Sequence, residues 1–452
     1  MDSTVDDPSP PPLPPAAHDW PVHPEIEPQE PRNLLLLAVQ QIVLRVGWIF
    51  KTESVIIPAF LDWLAGPGAG VLRGCLPVLN RFGQSVPPVL CANRLGAMRR
   101  KKRALAGCVL MMSLPFAVLS IVCLIGDARR LAWMPQLFLG LYGLFFIFNG
   151  LYHLSFGTVQ GKLIRPTRRG RLLLISTFAG TIPAILFAWW LLDDWLALPD
   201  GGFGYAFGFT AVCFFLSGLT VLLVFEPDDD PPPKSGYGGL ASVADTLGAL
   251  RRDHNLRRLV LVAMLFGSSL IIFPHYQTLA RVQLGLYGPV LMVWVVAQNA
   301  AVGMYSLLAG PLADAWGNRL TLRTLILGSA AAPLLAIAMC RLGPTGAMWF
   351  WTVFIALGGT PLVLRILNNY ALEICEPAEH PRYLSTLSLC LAVPFLLSPA
   401  VGWAVDRIGF EPVFLSTSGL ILLGGGMTFR LEEPRHRRRE AEIVTLAAGG
   451  EE

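Results

Sequence analysis

Long apolar segments separated by short polar turns make up most of the chain between about residues 42 and 430. Most contain about 20 residues, the length that an α-helix needs to cross the hydrocarbon core of a bilayer. The pattern predicts an all-α membrane protein with about twelve crossings, at 42–65, 69–92, 104–126, 135–158, 172–193, 203–225, 258–284, 288–313, 321–341, 347–372, 384–405 and 410–430.

Polar segments divide this pattern into domains. The N-terminal tail is acidic and rich in proline, so we expect it to be disordered, and it lacks the basic and apolar parts of a signal peptide. A central break holds Asp228–Asp230, a proline run and a stretch whose apolar residues share one helical face. The predicted domains are a tail at 1–33, an N-terminal bundle at 34–225, a cytoplasmic linker with a short amphipathic helix at 226–257, a C-terminal bundle at 258–431 and a cytoplasmic tail at 432–452.

Composition agrees with a membrane protein. Charged residues make up 15% of the chain and hydrophobic residues 54%, whereas a soluble domain carries about 25% charged residues. The eight cysteines are scattered and form no C-x-x-C pair, which indicates neither a zinc site nor a disulfide framework. We expect no metal and no cofactor.

One polar turn, Gly310–Arg323, lies between two long apolar segments. Gly310 is interpreted as a point of close helix approach and Gly317 as the site of a tight reversal. The turn resembles the G-x-L-a-D-r-x-G-r-k loop of the major facilitator superfamily. The matching residues are Gly310, Leu312, Ala313, Asp314 and Gly317, whereas Ala315 replaces the usual arginine and Arg319 sits one place late.

Repeated motifs extend the resemblance to about residues 40–432. Ile164–Arg171 and Cys375–Arg382 both read x-x-Pro-x-x-x-x-Arg, and a Glu-Pro pair ends each half, at Glu226 and at Glu433. Asn93–Gly96 is a degenerate copy of Asp314–Gly317, with Asn in place of Asp. The resemblance, which includes poorly characterised bacterial permeases, implies two six-helix halves with a transport site between them near the midplane.

Polar residues within the crossings are candidate substrate or coupling groups, because charge inside a bilayer is costly. We expect Glu53 either to exchange a proton or to pair with Arg81, and a purely structural ion pair is the alternative. Lys51, two residues away, is expected on a different helix face. His153 and His275 could titrate near neutral pH, unless burial keeps them neutral. The full set of candidates is Glu53, Arg81, Asn149, Tyr152, His153, His275, Tyr276, Gln298, Asn299 and Arg365.

A second set of residues belongs to the loops that would control conformation. The resemblance implies that Asp314 faces the start of the fifth helix near Arg171 when the cytoplasmic side is closed, and that Asn93 holds the uncharged equivalent place. The predicted gate residues are Asn93, Arg94, Gly96, Arg168, Arg169, Arg171, Gly310, Asp314, Gly317, Arg319 and Arg382.

These features favour a secondary transporter over two alternatives, a non-transporting sensor or scaffold on the same fold and a membrane-embedded lipid-modifying enzyme. The sequence has no H-E-x-x-H, G-x-S-x-G or nucleotide-binding loop, so neither an enzyme nor a primary pump is expected. The expected partners are a small-molecule substrate and the lipid bilayer, with protons as a coupling hypothesis, no nucleic acid and a monomeric state. A sugar, a drug, a peptide and an organic anion all remain open as substrate.

Basic residues concentrate in one set of loops, around 94–103, 162–171, 251–258, 319–323 and 430–439. Because cytoplasmic loops of membrane proteins are enriched in Lys and Arg, we expect a multi-pass inner-membrane protein with both termini in the cytoplasm. A reporter that is active only in the periplasm should therefore be silent when fused after Glu452, and activity there would contradict this topology.

Overall fold

The computed structural model describes residues 25–96, 98–126, 128–228, 248, 250–375 and 379–433, and these residues contain α-helices and short 3₁₀ and π turns but no strand. Both predicted tails and most of the predicted linker helix lie outside them. Two long helix sets form the halves. The N-terminal half contains α1 (Glu30–Ile49), α2 (Ile56–Ala65), α3 (Gly70–Gly96), α4 (Lys101–Ile125), α5 (Met134–Leu163), α6 (Pro166–Phe187), α7 (Asp193–Leu196) and α8 (Phe203–Leu222).

The C-terminal half has more interruptions. It contains α9 (His254–Ile271), α10 (Phe273–Leu284), α11 (Val290–Trp316), α12 (Asn318–Ser329), α13 (Ala331–Arg341), α14 (Pro344–Trp349), α15 (Trp351–Leu357), α16 (Thr360–Glu373), α17 (His380–Ala392), α18 (Ser398–Ile408) and α19 (Phe410–Met427). Pro274 is the second residue of α10, and Pro394 and Pro399 lie at the break between α17 and α18. Proline removes a backbone donor and clashes with the preceding turn, so helices break there.

Ten helical stretches among the described residues are long and apolar enough to cross a membrane. Helices α3 and α6 are not among the ten, yet α3 packs against α5, and α6 packs against α1. Helix α3 carries Arg73, Asn80, Arg81 and Gln84, which lowers its mean hydropathy. The multi-pass helical prediction is confirmed, whereas apolar content alone accounts for ten of the twelve predicted crossings.

The first crossing differs from the prediction of one continuous helix. The chain becomes helical at Glu30, α1 ends at Ile49, and α2 starts only at Ile56. At the break, the carbonyl of Thr52 accepts hydrogen bonds from the backbone N–H groups of Val55, Ile56 and Ile57 at 2.9–3.3 Å. Non-helical backbone at membrane depth is tolerated where protein surrounds it, and Phe50, Lys51 and Ser54 are buried here.

The glutamates of the Glu-Pro repeat lie at corresponding helix starts in the two halves, with different partners. The buried carboxylate of Glu226 accepts hydrogen bonds from the backbone N–H groups of Lys101 (2.9 Å) and Lys102 (2.7 Å) at the start of α4. In the other half, Glu433 pairs with Arg319 at 3.3 Å, at the start of α12. An anion at a helix N-terminus satisfies unpaired N–H groups and the helix dipole.

The polar linker contacts the loop that precedes α4 in the N-terminal half. The guanidinium of Arg100 donates a hydrogen bond to Asp228, and this bond lowers the pKa of that carboxyl. Asp228 is the first of the three aspartates at 228–230, and the sequence offers no matching metal ligands for them.

Replacing Glu226 should test the helix-capping role. We expect Glu226→Ala to lower the free energy of unfolding by about 2–3 kcal/mol, because it leaves buried donors without an acceptor. Glu411→Gln is the matched control, since its pair with Arg341 is exposed and such pairs contribute about 0–1 kcal/mol. Thermal unfolding in detergent measures both variants, and equal losses would contradict the capping role.

Candidate functional site

The face at which α2 ends and α3 begins, called the distal face below, is built around a buried ion pair. Arg73 on α3 donates to Asp62 on α2 at 2.5 Å, and neither side chain is exposed. The hydroxyl of Thr278 on α10, which belongs to the other half, donates to the second oxygen of Asp62 at 2.8 Å. Three helices from both halves therefore share one carboxylate.

A second carboxylate joins the halves beside this pair. Asp406 on α18 accepts a hydrogen bond from the backbone N–H of Gly70 at 2.8 Å and lies 3.5 Å from the guanidinium of Arg73. Gly70 is the first residue of α3, so this carboxylate also caps that helix. The arrangement fixes the beginning of α3 against the end of α18.

Small residues let α3 and α18 meet at backbone distance. A Cβ atom on Gly70 or Gly402 would collide with the carbonyl oxygen of the other, and one on Gly74 would collide with the backbone at Ser398. Ser398, which is fully buried, donates its hydroxyl hydrogen bond to the carbonyl of Gly74 at 2.6 Å. The distal face is thus closed between the halves.

The interrupted first crossing holds another ion pair near the midplane. Lys51, whose side chain is fully buried, donates to Glu53 at 2.7 Å, and its ammonium lies 3.3 Å from the ring centroid of Trp48. Glu53 also accepts from the amide of Asn80 at 2.8 Å. The expectation that Lys51 and Glu53 occupy different helix faces was wrong, because the chain leaves the helix at Phe50 and the i, i+2 geometry of a helix no longer applies.

Arg81 does not pair with Glu53. It donates instead to the carbonyl of Ser388 on α17 at 3.4 Å, and its Nε has no partner. Both Glu53 and Arg81 line a cavity of about 190 Å³ between the halves, together with Gln84, Tyr142 and residues of α10 and α16. Ser85 and Ser388 lie 3.2 Å apart beside this cavity. In the described part of α3, no polar contact with α17 follows Ser85 towards the end of the helix.

Most other predicted candidates are buried in helix contacts. The hydroxyl of Tyr152 accepts from Gln41, Ser54 donates to Gln298, and Asn299 donates to the carbonyl of Val295 at 2.9 Å. Tyr276 packs on Phe414 with ring centroids 4.9 Å apart. Asn149 is buried with its side-chain oxygen unpartnered, and His275 is fully buried with neither ring nitrogen hydrogen-bonded.

Two predicted candidates, His153 on α5 and Arg365 on α16, are exposed although they belong to membrane-crossing helices. Asn368 and Asn369, which follow Arg365 on α16, are exposed as well. The exposed side of α16 that carries Arg365, Asn368 and Asn369 is called the cleft below. The face at which α1 begins is called the terminal face.

Comparison with known proteins agrees with this architecture. Residues 283–447 match the family model described as Major Facilitator Superfamily. This match covers the C-terminal part of the chain. No curated protein matches the chain in sequence, and the other similar proteins are solved structures.

Several solved transporter structures share the fold of this chain. A mutant of the nucleoside transporter NupG matches with a TM-score of 0.67 at 13% identity, over 89% of this chain and 100% of that one. The POT family transporter PepTSo gives 0.64 at 12%, over 89% and 97%. A bacterial homolog of the human lysosomal transporter Spinster, inward-facing and unoccupied, gives 0.60 at 13%, over 90% and 97%. At sequence identities this low, the similarity shows a shared fold and does not indicate a shared substrate.

The major facilitator loop at the terminal face is only partly described. Gly317 has a positive φ of 88°, as a tight reversal requires. Gly310 does not meet a neighbouring helix, because a Cβ there would find no atom within 4 Å. The close approach expected at Gly310 is therefore absent in this conformation, as it would be if the terminal face were open.

The predicted contact between Asp314 and the start of the fifth helix falls on side chains that the structure does not describe. The side chains of Asn93, Arg169 and Asp314, and Gly96, lie outside the described residues. Arg168 donates to Glu30 at 3.1 Å within its own half, whereas Arg94 and Arg171 are exposed. Arg382 lies 3.6 Å from Glu379. The role of Asp314 stays a prediction.

Sequence reasoning missed the distal cluster. Asp62 and Arg73 both fall inside predicted crossings, where charged residues are functional candidates, yet neither is in the predicted set. Thr278 carries no charge, so nothing in its local sequence distinguishes it. Among the described residues, no three His, Cys, Asp or Glu side chains lie close enough together to hold a metal ion.

A double-mutant cycle should establish what the Lys51–Glu53 pair contributes. We expect Glu53→Gln alone to destabilise the protein by about 3–5 kcal/mol, because it leaves a buried ammonium unpaired. Lys51→Met combined with Glu53→Gln should recover most of that loss. Thermal unfolding of the four proteins measures the coupling, and additive losses would show that the two charges do not interact.

Proposed function

We propose that the protein is a secondary transporter that moves a small solute across the membrane by alternating access. The observation that carries the proposal is the asymmetry of the interface between the halves. At the distal face α3 and α18 touch at Gly70 and Gly402, whereas towards the terminal face Arg365 on α16 is exposed. A transporter that opens to one side at a time needs such an asymmetry.

Glu53 is the proposed coupling group. It is the one carboxylate among the residues that line the 190 Å³ cavity, and its side chain is 26% exposed. A carboxylate that keeps contact with a cavity can exchange a proton with it. Both Lys51 and Asn80 donate to this carboxylate, so a proton on Glu53 would weaken both contacts together and alter the break in the first crossing. Glu53→Gln should then abolish gradient-driven accumulation while sparing exchange.

The fold does not favour the other candidate functions. A non-transporting sensor would not need exposed polar groups at the midplane of both halves. An enzyme would need a convergent nucleophile, base or metal site, and the cleft residues of the described chain offer arginine and amide groups instead. The orientation expected from the basic loops would make the terminal face cytoplasmic and the described conformation inward-facing.

The proposal can be tested through the reciprocal accessibility of the two faces. In a background without native cysteines, Ser398→Cys reports on the distal face and Asn369→Cys reports on the cleft. We expect Asp406→Asn to weaken the distal contact by about 1 kcal/mol and so raise maleimide labelling of Ser398→Cys about fivefold. Labelling of Asn369→Cys should fall in the same protein.

The matched control is Arg407→Gln, which removes an exposed neighbouring charge and should leave both labelling rates unchanged. If Asp406→Asn changes neither rate, Asp406 does not hold the distal face closed. If both rates rise together, the protein has loosened and does not alternate, and the transporter proposal would be contradicted.

A further inference from the structure

A second cavity, called the distal cavity below, lies at the distal face and shares no lining residue with the cavity beside Glu53. Its volume is about 350 Å³, at the small end of the range of about 300–1,000 Å³ that ligand pockets occupy. The N-terminal half contributes the end of α2 and the loop between α7 and α8. The C-terminal half contributes the end of α10 and the loop before α11. Both halves therefore form its wall.

Apolar side chains form most of this wall. Leu196, Phe203 and Leu291 are buried there, and Leu198 and Tyr287 are exposed on the two loops. Among the described residues that line the cavity, there is no aspartate or glutamate. A cationic ligand would therefore find no counterion in the distal cavity.

One hydrogen-bond donor of the wall is a rigidly held indole. The ring of Trp63 packs between Phe60 and Phe203, with ring centroids 5.9 and 5.8 Å away. Arg129 donates to the backbone carbonyl of Trp63 at 3.1 Å and lies 5.1 Å from the ring centroid. The indole Nε1 is shielded from solvent and has no hydrogen-bond partner. A buried donor without an acceptor is costly, so an acceptor on a ligand would relieve that cost.

The second and third donors lie on α10. Gln277 is buried, and its side-chain oxygen accepts from Thr278 at 3.4 Å, whereas its amide nitrogen donates to no acceptor among the described residues. Arg281 follows four residues later, near the end of the helix, and is half-buried. The inner donors of the cavity are thus uncharged, and the one cation lies nearer the distal surface.

The distal cavity depends on contact between the halves. Thr278, next to Gln277, donates to Asp62 on α2 at 2.8 Å. On the loops, a Cβ on Gly288 would lie 3.7 Å from the carbonyl oxygen of Leu196 in the other half. Opening the distal face separates these groups and with them the two sides of the cavity. A ligand that contacts both sides binds the closed conformation better and so favours it.

We propose that the distal cavity binds a small uncharged molecule with an apolar body and a carbonyl oxygen, and that this ligand inhibits transport by holding the distal face closed. The carbonyl accepts from Gln277 and Trp63, and the apolar body packs on the leucines and Phe203. A carboxylate at that depth would lose its hydration to donors that carry no charge. The site does not depend on the proposed transport function, whereas the inhibition rests on it.

The test uses benzylacetone, a phenyl ketone, as the probe on purified full-length protein in nanodiscs of diether phosphatidylcholine. Benzylacetone should raise the unfolding temperature of the wild type by mass action. Gln277→Leu and Trp63→Phe, which remove one donor each, should raise the apparent dissociation constant about fivefold to tenfold. Leu198→Trp fills the cavity and should abolish the response. Leu342→Trp is the matched control, because Leu342 is an exposed leucine outside this cavity, and it should respond like the wild type.

Two further arms define the ligand. Butylbenzene, which lacks the carbonyl, should bind about tenfold more weakly than benzylacetone. If phenylbutyrate binds more tightly than benzylacetone and Arg281→Gln removes that advantage, the ligand is an anion and the uncharged class is wrong. Diester phosphatidylcholine should leave the benzylacetone response unchanged. Loss of the response in diester lipid alone would show that a lipid ester occupies the cavity and would overturn the proposal of a soluble ligand.

Maleimide labelling tests the effect on conformation. In the background without native cysteines, benzylacetone should reverse the increase in Ser398→Cys labelling that Asp406→Asn causes, and adding Leu198→Trp should prevent this reversal. Equal thermal responses of the wild type and Leu198→Trp would overturn the site, since the probe would act elsewhere. Stabilisation without reversal of labelling would overturn the inhibitory role. If Asp406→Asn does not raise labelling at all, the transport proposal fails, while the thermal responses still decide whether the site exists.

Discussion

The buried contact between Asp62 and Arg73 determines how the two halves meet at the distal face. The pair itself lies within the N-terminal half, between α2 and α3, where Arg73 also donates to the carbonyl of Pro67 at 2.7 Å. Thr278 and Asp406 add contacts from the C-terminal half. A buried ion pair contributes little to stability unless its remaining polar atoms are also satisfied. The contacts from the other half supply part of that satisfaction, so closure of this face stabilises the buried charges.

The sequence was a good guide to the fold and a weaker guide to the site. Apolar segments of membrane length predict helices reliably because every backbone polar group must be satisfied within lipid. The Glu-Pro repeat also proved informative, since Glu226 and Glu433 lie at equivalent helix starts. Both features depend on local sequence, so they can be recognised without knowing how the helices pack.

The errors arose where tertiary contacts override helical periodicity. Lys51 and Glu53 meet only because the first crossing is interrupted, and no proline or glycine between Phe50 and Val55 announces that break. Arg81 was paired with Glu53 because both lie at similar depth, but depth does not fix the direction of a side chain. Thr278 became important only through its position opposite Asp62, which depends on how the two halves dock.

The distribution of charges suggests how the two faces could alternate at a small energetic cost. When the distal face opens, Arg73 and Asp62 can remain paired, because both belong to the same half. The contacts with Thr278 and Asp406, the Ser398–Gly74 hydrogen bond and the glycine packing need to break, but no isolated buried charge is created. The intact ion pair therefore limits the cost of opening the distal face. Two conformations that differ by only a few kcal/mol are what a ligand-driven population shift requires.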